Sequence, residues 1–395
     1  MLYYIILFFL LILSVRYDIN GKTKYREQWY NVVLIILILI AGLRFRLGED
    51  TINYLFHFYH GTPKLWDINV DTFLASGQSP LWILLNSIVK SLGGKFFIVQ
   101  LIQAAIVNIL IFKYFKKHSS YPFACVALYF FWRYQWYSMI VMKAAIALSI
   151  ILFANDYFLE KKYKKGFLLI LIATGFHLSS ILLVIIPFLT FIRFNILGVV
   201  LLVFSFFVGA FLQSQLGDIF ELMEFAEGVS NKLNNYLDSK YMTQTHNLNY
   251  FIVKVFPIIM YPIASLLYIK NKCKGSHILR LEPFLMVGLL FQMMQFSINI
   301  FYRYVYIFTI YYIIFIVHFF IEYSKKSFML ERSLAYVRTF MVVLPFWASL
   351  VFLYPMTHIS LYPYSSVIER SINQKREKYF VSVKEDLYNL NLDEY

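Results

Sequence analysis

The stretch GFLLILIATGFHLSSILLVIIPFL, Gly166–Leu189, decides how the rest of this chain must be threaded. It is long enough for one crossing of a hydrocarbon core of roughly 30 Å, yet it carries Gly175 and His177 in its middle. Taken as one span, it would move the later basic clusters to the opposite side from the earlier ones. Taken as a short helical hairpin turning near Gly175–His177 at the outer side, it crosses an even number of times. All the basic clusters then share one face, which the positive-inside rule makes cytoplasmic.

Outward from this stretch, apolar runs suited to spans lie near residues 2–15, 29–43, 96–112, 121–132, 138–157, 194–213, 249–269, 279–298, 302–323 and 337–354. These make about ten full spans. Leu81–Leu92, closed by Gly93-Gly94, is too short to cross at roughly 1.5 Å per residue, and reads as a re-entrant or interfacial helix. The basic clusters around Arg16–Arg26, Lys113–Lys117, Lys161–Lys165, Lys270–Arg280 and Lys325–Arg338 fall on the cytoplasmic side. Residues 44–80 and 214–248 become extracytoplasmic loops and 355–395 an extracytoplasmic tail. The expected fold is all-α: one polytopic membrane domain over 1–395, with about ten transmembrane helices plus re-entrant or half-span helices.

Composition agrees. The 395 residues are 60% hydrophobic and only 15% charged, too little polar surface for a soluble domain of this length. The formal charge of +14 sits in short loops between spans and not on a soluble basic domain, which argues against a nucleic-acid partner. Cys125 lies in an apolar run and Cys273 in a basic loop, so a disulfide between them is not expected. No Cys/His spacing reads as a metal site, and no cofactor is implied. The opening MLYYIILFFLLILSV lacks a basic n-region and a small-residue cleavage site, and reads as a retained span. The 41 Phe and 32 Tyr suit a lipid groove and sugar stacking, but chiefly membrane-facing core and interface.

Cations gather at the outer ends of these spans. Arg44 and Arg46 stand in GLRFRLGEDTINY, Arg133 in the expected turn WRYQW, and Lys143 in MKAAIA. His177 stands in GFHLSS and Arg303 in NIFYRYVY. Each arginine could snorkel to the interface, Lys143 could pair with a carboxylate, and His177 could be a helix–helix contact. Convergence of all of them on one face points further. Guanidinium and ammonium groups there suit a lipid-linked diphosphate and the charge that develops as it departs. Glu49 and Asp50 could orient an acceptor hydroxyl, act as a base, or neutralise Arg44 and Arg46.

The pattern R-x-x-x-G-x-D-x-x-x-Y, formed by Arg44, Gly48, Asp50 and Tyr54, resembles the signature of EpsG-type proteins. These are a branch of the bacterial Wzy-like polymerases of capsule, exopolysaccharide and O-antigen. SPLWILLNSIV and MKAAIALSIILFANDYFLEKKYKKGFLLILIATGFHLSS continue the resemblance, which covers roughly Ala41–Pro187. It departs at Gln78, where family members often carry an acidic residue, and at Lys143-Ala144, where they often carry Arg-Gln. Arg303 with Tyr306 matches a weaker late Arg-x-x-Tyr pattern.

The resemblance implies a metal-independent glycosyltransferase of the GT-C type, acting on the outer side of the bacterial cytoplasmic membrane. Donor and acceptor would be oligosaccharides on undecaprenyl diphosphate, with a chain-length regulator and a flippase as further partners. Arg44, Lys143 and Arg303, with Arg46, Arg133 and Tyr54, would bind substrate. His177 or Asp50 would position or deprotonate the acceptor hydroxyl. An O-antigen-type ligase and a lipid-linked oligosaccharide flippase are the rival readings. A flippase should place its cations along a central cavity and show pseudo-repeats, and no repeat stands out.

Overall fold

The computed structural model describes residues 2–69, 78–214, 256–273, 275–295, 301–330 and 358–383, and among these every regular element is a helix. In chain order these include α1 (Leu2–Ser14), α2 (Arg26–Gly42), α3 (Thr51–Phe56), α4 (Pro80–Ser91), α5 (Phe96–His118), α6 (Pro122–Tyr129) and α7 (Met142–Leu159). There follow α8 (Tyr163–Phe176), α9 (Ile196–Ser214), α10 (Phe256–Lys272), α11 (Glu282–Met294), α12 (Tyr302–Leu330) and α13 (Gln374–Val383).

Among the described residues, 5 helices are long and apolar enough to cross a membrane: Leu2–Ile19, Phe96–His118, Met142–Leu159, His277–Met294 and Arg303–Lys325. This is a multi-pass membrane protein. Two other expected runs are helical but shorter: α2 has 17 residues, and α10 carries Pro262 within its 17. The run at 337–354, the beginning of 249–269 and nearly all of the 214–248 loop lie outside the described residues. α4 has 12 residues, too few to cross, as its length in the sequence indicates.

The chain forms two compact units. One comprises Met1–Phe153, Phe167–Leu182 and Tyr354–Tyr395; the other comprises Ala154–Gly166 and Leu183–Leu353. In the first, α2 approaches α5 so closely that a Cβ on Gly42 would stand 2.7 Å from the Cα of Leu101. A small residue at a helix crossing is what permits such contact. Tyr30 on α2 donates its hydroxyl to the Phe112 carbonyl at 2.9 Å, and Tyr17 stacks on Phe123 with ring centroids 5.1 Å apart. One buried polar cluster between the helices is paired within itself. Asn108 donates to Ser138 Oγ at 3.1 Å and accepts from the Tyr129 hydroxyl at 3.4 Å.

After α6 the structure departs from the sequence expectation. The turn anticipated at Trp132–Trp136 is absent. The chain instead continues through π-helical stretches at Phe130–Tyr134 and Trp136–Ile140 and breaks only at Val141 (φ −91°, ψ 54°). The physical reason is compositional: Tyr129–Ile140 holds no Gly, Pro, Asn or Asp to stop a helix. The break leaves carbonyls at the helix end to be satisfied from elsewhere. Gln103 Nε2 reaches one of them, Tyr137 O at 3.0 Å, and bridges the break to Met142 O at 3.4 Å.

In the second unit α12 is the most buried span, packed against α11 and α10. A Cβ on Gly288 would meet the Tyr312 hydroxyl at 2.7 Å, and one on Gly209 would meet Met294 Cα at 3.0 Å. Glu282, at the start of α11, accepts from Phe194 N at 2.7 Å and from Lys270 Nζ at 2.8 Å, which ties three segments of this unit together.

Candidate functional site

The R-x-x-x-G-x-D-x-x-x-Y segment begins where α2 ends. The last carbonyls of a helix lack axial partners, and here they are met from several directions. Leu43 N bonds Leu39 O, the Tyr364 hydroxyl bonds Ile40 O at 3.0 Å, and Arg44 Nη1 bonds Ala41 O. Arg44 is fully buried, and its other nitrogens are also engaged. Nε donates to Leu47 O at 3.3 Å and Nη2 to Met139 O at 3.0 Å. Burial pulls its pKa down to about 10, which still leaves the guanidinium charged at neutral pH. The sequence reading gave Arg44 a diphosphate contact. Its geometry is that of an internal brace, with all three nitrogens donating to main-chain carbonyls.

Met139 O is the anchor of the loop. Besides Arg44 it accepts from Thr51 Oγ1 at 3.3 Å, and Gly48 lies directly against it. Gly48 holds φ at +98° and Arg46 holds φ at +50°, both in the left-handed region. Asp50 starts α3, and its carbonyl accepts from Tyr54 N at 3.1 Å. The loop is therefore a fixed turn.

Three further segments of this unit meet at the first turn of α4. Gln78, just before that helix, accepts a hydrogen bond from Lys143 Nζ at 2.7 Å. Leu81 is so close to α8 that a Cβ on Gly175 would stand 2.6 Å from its Cδ1. Trp82 packs edge-on to Tyr54 at 5.4 Å between ring centroids. The turn thus gathers Lys143, Tyr54 and the end of α8, where His177 follows directly. α8 stops at Phe176 and a 3-10 segment starts at Leu178, so His177 occupies the break. Gln78 and Lys143, both among the positions where the sequence resemblance to EpsG-type proteins is expected to depart, are in direct contact. At the far end of α4, Lys90 Nζ donates to Phe58 O, Tyr59 O and Thr62 O at 2.7–3.1 Å, which fixes the segment after α3.

Arg133 is 1% exposed within a π-helical stretch, its guanidinium over the Trp132 ring at 5.2 Å. The surface turn assigned to it is corrected accordingly. Arg303 belongs to the second unit, in the first turn of α12 and half-buried.

The sequence reading had no role for the residues that cover the loop. The C-terminal segment 358–383 runs along it through main-chain bonds: Phe45 N to Ser365 O at 2.9 Å, Val367 N to Leu43 O at 2.8 Å, and Gly48 N to Ser360 O at 2.9 Å. Its side chains follow suit. Glu377 pairs with Arg46 at 3.0 Å, and the Tyr379 hydroxyl donates to Glu49 Oε1 at 2.8 Å. His358 Nδ1 stands 3.8 Å from that same carboxylate oxygen, and Phe380 packs on Ile52. Nothing local in Gln374–Val383 announces these contacts, which join residues more than 300 positions apart.

Comparison with known proteins bears on this site. The profile of the EpsG family matches residues 27–366, a range that takes in the loop, the α4 turn, Lys143, His177 and Arg303. The chain belongs to the EpsG family. Membership suggests a role of polysaccharide-polymerase type for this EpsG-family chain. No curated protein and no solved structure matches it.

Proposed function

We propose that this EpsG-family protein joins oligosaccharide repeat units carried on undecaprenyl diphosphate into a capsular, exopolysaccharide or O-antigen chain. The work is done on the extracytoplasmic side of a bacterial inner membrane, within a GT-C-type architecture. A hydroxyl of the acceptor's terminal sugar attacks the anomeric carbon of the donor glycan. A glycosidic C–O bond forms as the bond from that carbon to the diphosphate breaks. The hydroxyl proton passes to Asp50 or His177, and undecaprenyl diphosphate leaves with the electron pair.

Lys143 and Arg46 supply positive charge to the departing diphosphate, with Arg133 as a further cation. Arg44 holds the loop that presents Arg46, Glu49 and Asp50. Tyr54 links this loop to the α4 turn. General-base help is typically worth about 10²–10⁴-fold, so losing it should leave residual turnover.

The observation that carries this reading is the gathering of Lys143, Tyr54 and the His177 break around Gln78–Trp82 in the unit that holds the signature loop. The test is elongation of defined lipid-linked repeat units by the purified protein, with products read by mass. Lys143→Ala and Arg46→Ala should each abolish or severely slow elongation. Normal chain growth by both variants would refute the assignment. Movement of labelled lipid-linked sugar across proteoliposomes, without change in glycan length, would identify a flippase instead.

A further inference from the structure

The C-terminal helix α13 lies beyond the residues matched by the EpsG profile, and it carries a buried arginine with open donors. Arg376 is 0% exposed. Its main-chain N–H is capped by Asn373 Oδ1 at 3.1 Å, which sets the start of the helix, and its Nη1 donates to Pro363 O at 2.8 Å. Nε and Nη2 have no hydrogen-bond partner among the described residues. Those two nitrogens form the edge through which a guanidinium grips two oxygens of one phosphate or carboxylate. A buried charged group with its bidentate edge unfilled is unfavourable unless something occupies that edge.

The neighbouring residue names the occupant's chemistry. Glu377, the next residue along α13, places a carboxylate on Arg46 at 3.0 Å, so neighbouring positions of one helix supply an arginine and a carboxylate that reaches a second arginine. Burial pulls the pKa of Arg376 down, Glu377 opposes the shift, and Arg46 adds to it, so the two cations feel each other. Two guanidinium groups with an anionic oxygen already seated on one of them describe a site for an anion rich in oxygens. In a protein that handles lipid-linked glycans, that anion is the diphosphate.

We propose that the C-terminal segment contributes Arg376 to diphosphate binding, and that Glu377 holds the place of a substrate phosphate on Arg46 in the ligand-free protein. This rests on the polymerase reading above, and it adds a residue to the site that the family pattern does not contain. Binding shifts Glu377 off Arg46, and the phosphate takes both Arg46 and the Nε–Nη2 edge of Arg376.

The experiment is titration of undecaprenyl diphosphate onto the full-length protein in nanodiscs, with thermal unfolding recorded on the same samples. Arg376→Gln should raise Kd about tenfold or more, and Arg376→Lys, which keeps charge but loses the fork, should fall between it and wild type. Glu377→Gln should lower Kd, because the phosphate no longer competes with a carboxylate. Arg370→Gln, an exposed tail variant, should match wild type. Equal Kd for wild type and folded Arg376→Gln overturns the inference and leaves the polymerase reading intact. So does a Glu377→Gln variant that binds more weakly, since Glu377 would then be a brace. If Arg376→Gln does not fold, the direction of the Glu377→Gln effect decides. Wild-type protein that binds no lipid diphosphate overturns the polymerase reading itself, and this inference with it.

Discussion

Replacing Gly48 by alanine tests whether the form of the signature loop matters as much as its charges. Gly48 sits at φ +98°, where a side chain strains the backbone by about 1–2 kcal/mol. An added Cβ would stand 2.6 Å from Met139 O and 3.1 Å from Thr51 Oγ1. Met139 O is main chain, held by Arg44 Nη2 at 3.0 Å and Thr51 Oγ1 at 3.3 Å, so it cannot rotate away. Overpacking of this kind adds about 1–3 kcal/mol, for a total near 2–5 kcal/mol. The chain contains its own control. Gly93 has φ +74° but nothing within 4 Å of an added Cβ, so Gly93→Ala carries only the backbone strain of about 1–2 kcal/mol. Thermal unfolding and repeat-unit elongation, measured on the same nanodisc preparations, separate the two variants. Gly48→Ala should melt below Gly93→Ala and lose at least about tenfold in elongation rate. A Gly48→Ala protein that melts with Gly93→Ala and elongates at the wild-type rate would refute the argument that Met139 O sets the loop.

Arg44→Gln should lower stability by about 2–4 kcal/mol, because carbonyls at Ala41, Leu47 and Met139 lose a charged donor inside the fold. Unfolding should show a smaller loss for Arg46→Gln, whose partner Glu377 keeps some access to water. Gln78→Glu would set a carboxylate 2.7 Å from the Lys143 ammonium and should weaken undecaprenyl diphosphate binding by about threefold to tenfold at low salt, with the melting temperature unchanged or raised. Gly42→Ala would drive a Cβ to within 2.7 Å of Leu101 Cα. It should destabilise the α2–α5 contact by about 1–3 kcal/mol while the diphosphate Kd of the folded fraction stays the same, read from unfolding and titration together.

Much of this protein is legible along the chain. The hydrophobic runs at 2–15, 96–112, 138–157, 279–298 and 302–323 coincide with helices long enough to cross a membrane, because length and hydropathy are properties of a local stretch. The brevity of α4 was visible for the same reason, and Gly175 and His177 marked the place where α8 stops, at Phe176. Also visible was the loop pattern Arg44–Tyr54, whose glycine marks a backbone that only glycine adopts without strain. The expected turn at Trp132–Trp136 failed because apolar runs separated by a few polar residues do not imply a bend. Without a turn-forming residue the helix carries on, and Arg133 goes into the interior with it.

What the amino-acid order alone determined is a multi-pass helical membrane protein with a signature loop and a set of cations near helix ends. Tertiary structure alone decided what those cations do. Arg44 spends its donors on main-chain carbonyls, Lys143 meets Gln78, and Arg46 meets a glutamate from a tail that its own composition leaves unremarked. Hydropathy and helical period are read within a few turns of chain. The partner of a buried charge is set by which distant segments pack around it, as when Tyr3 donates to the Leu361 carbonyl 358 positions away.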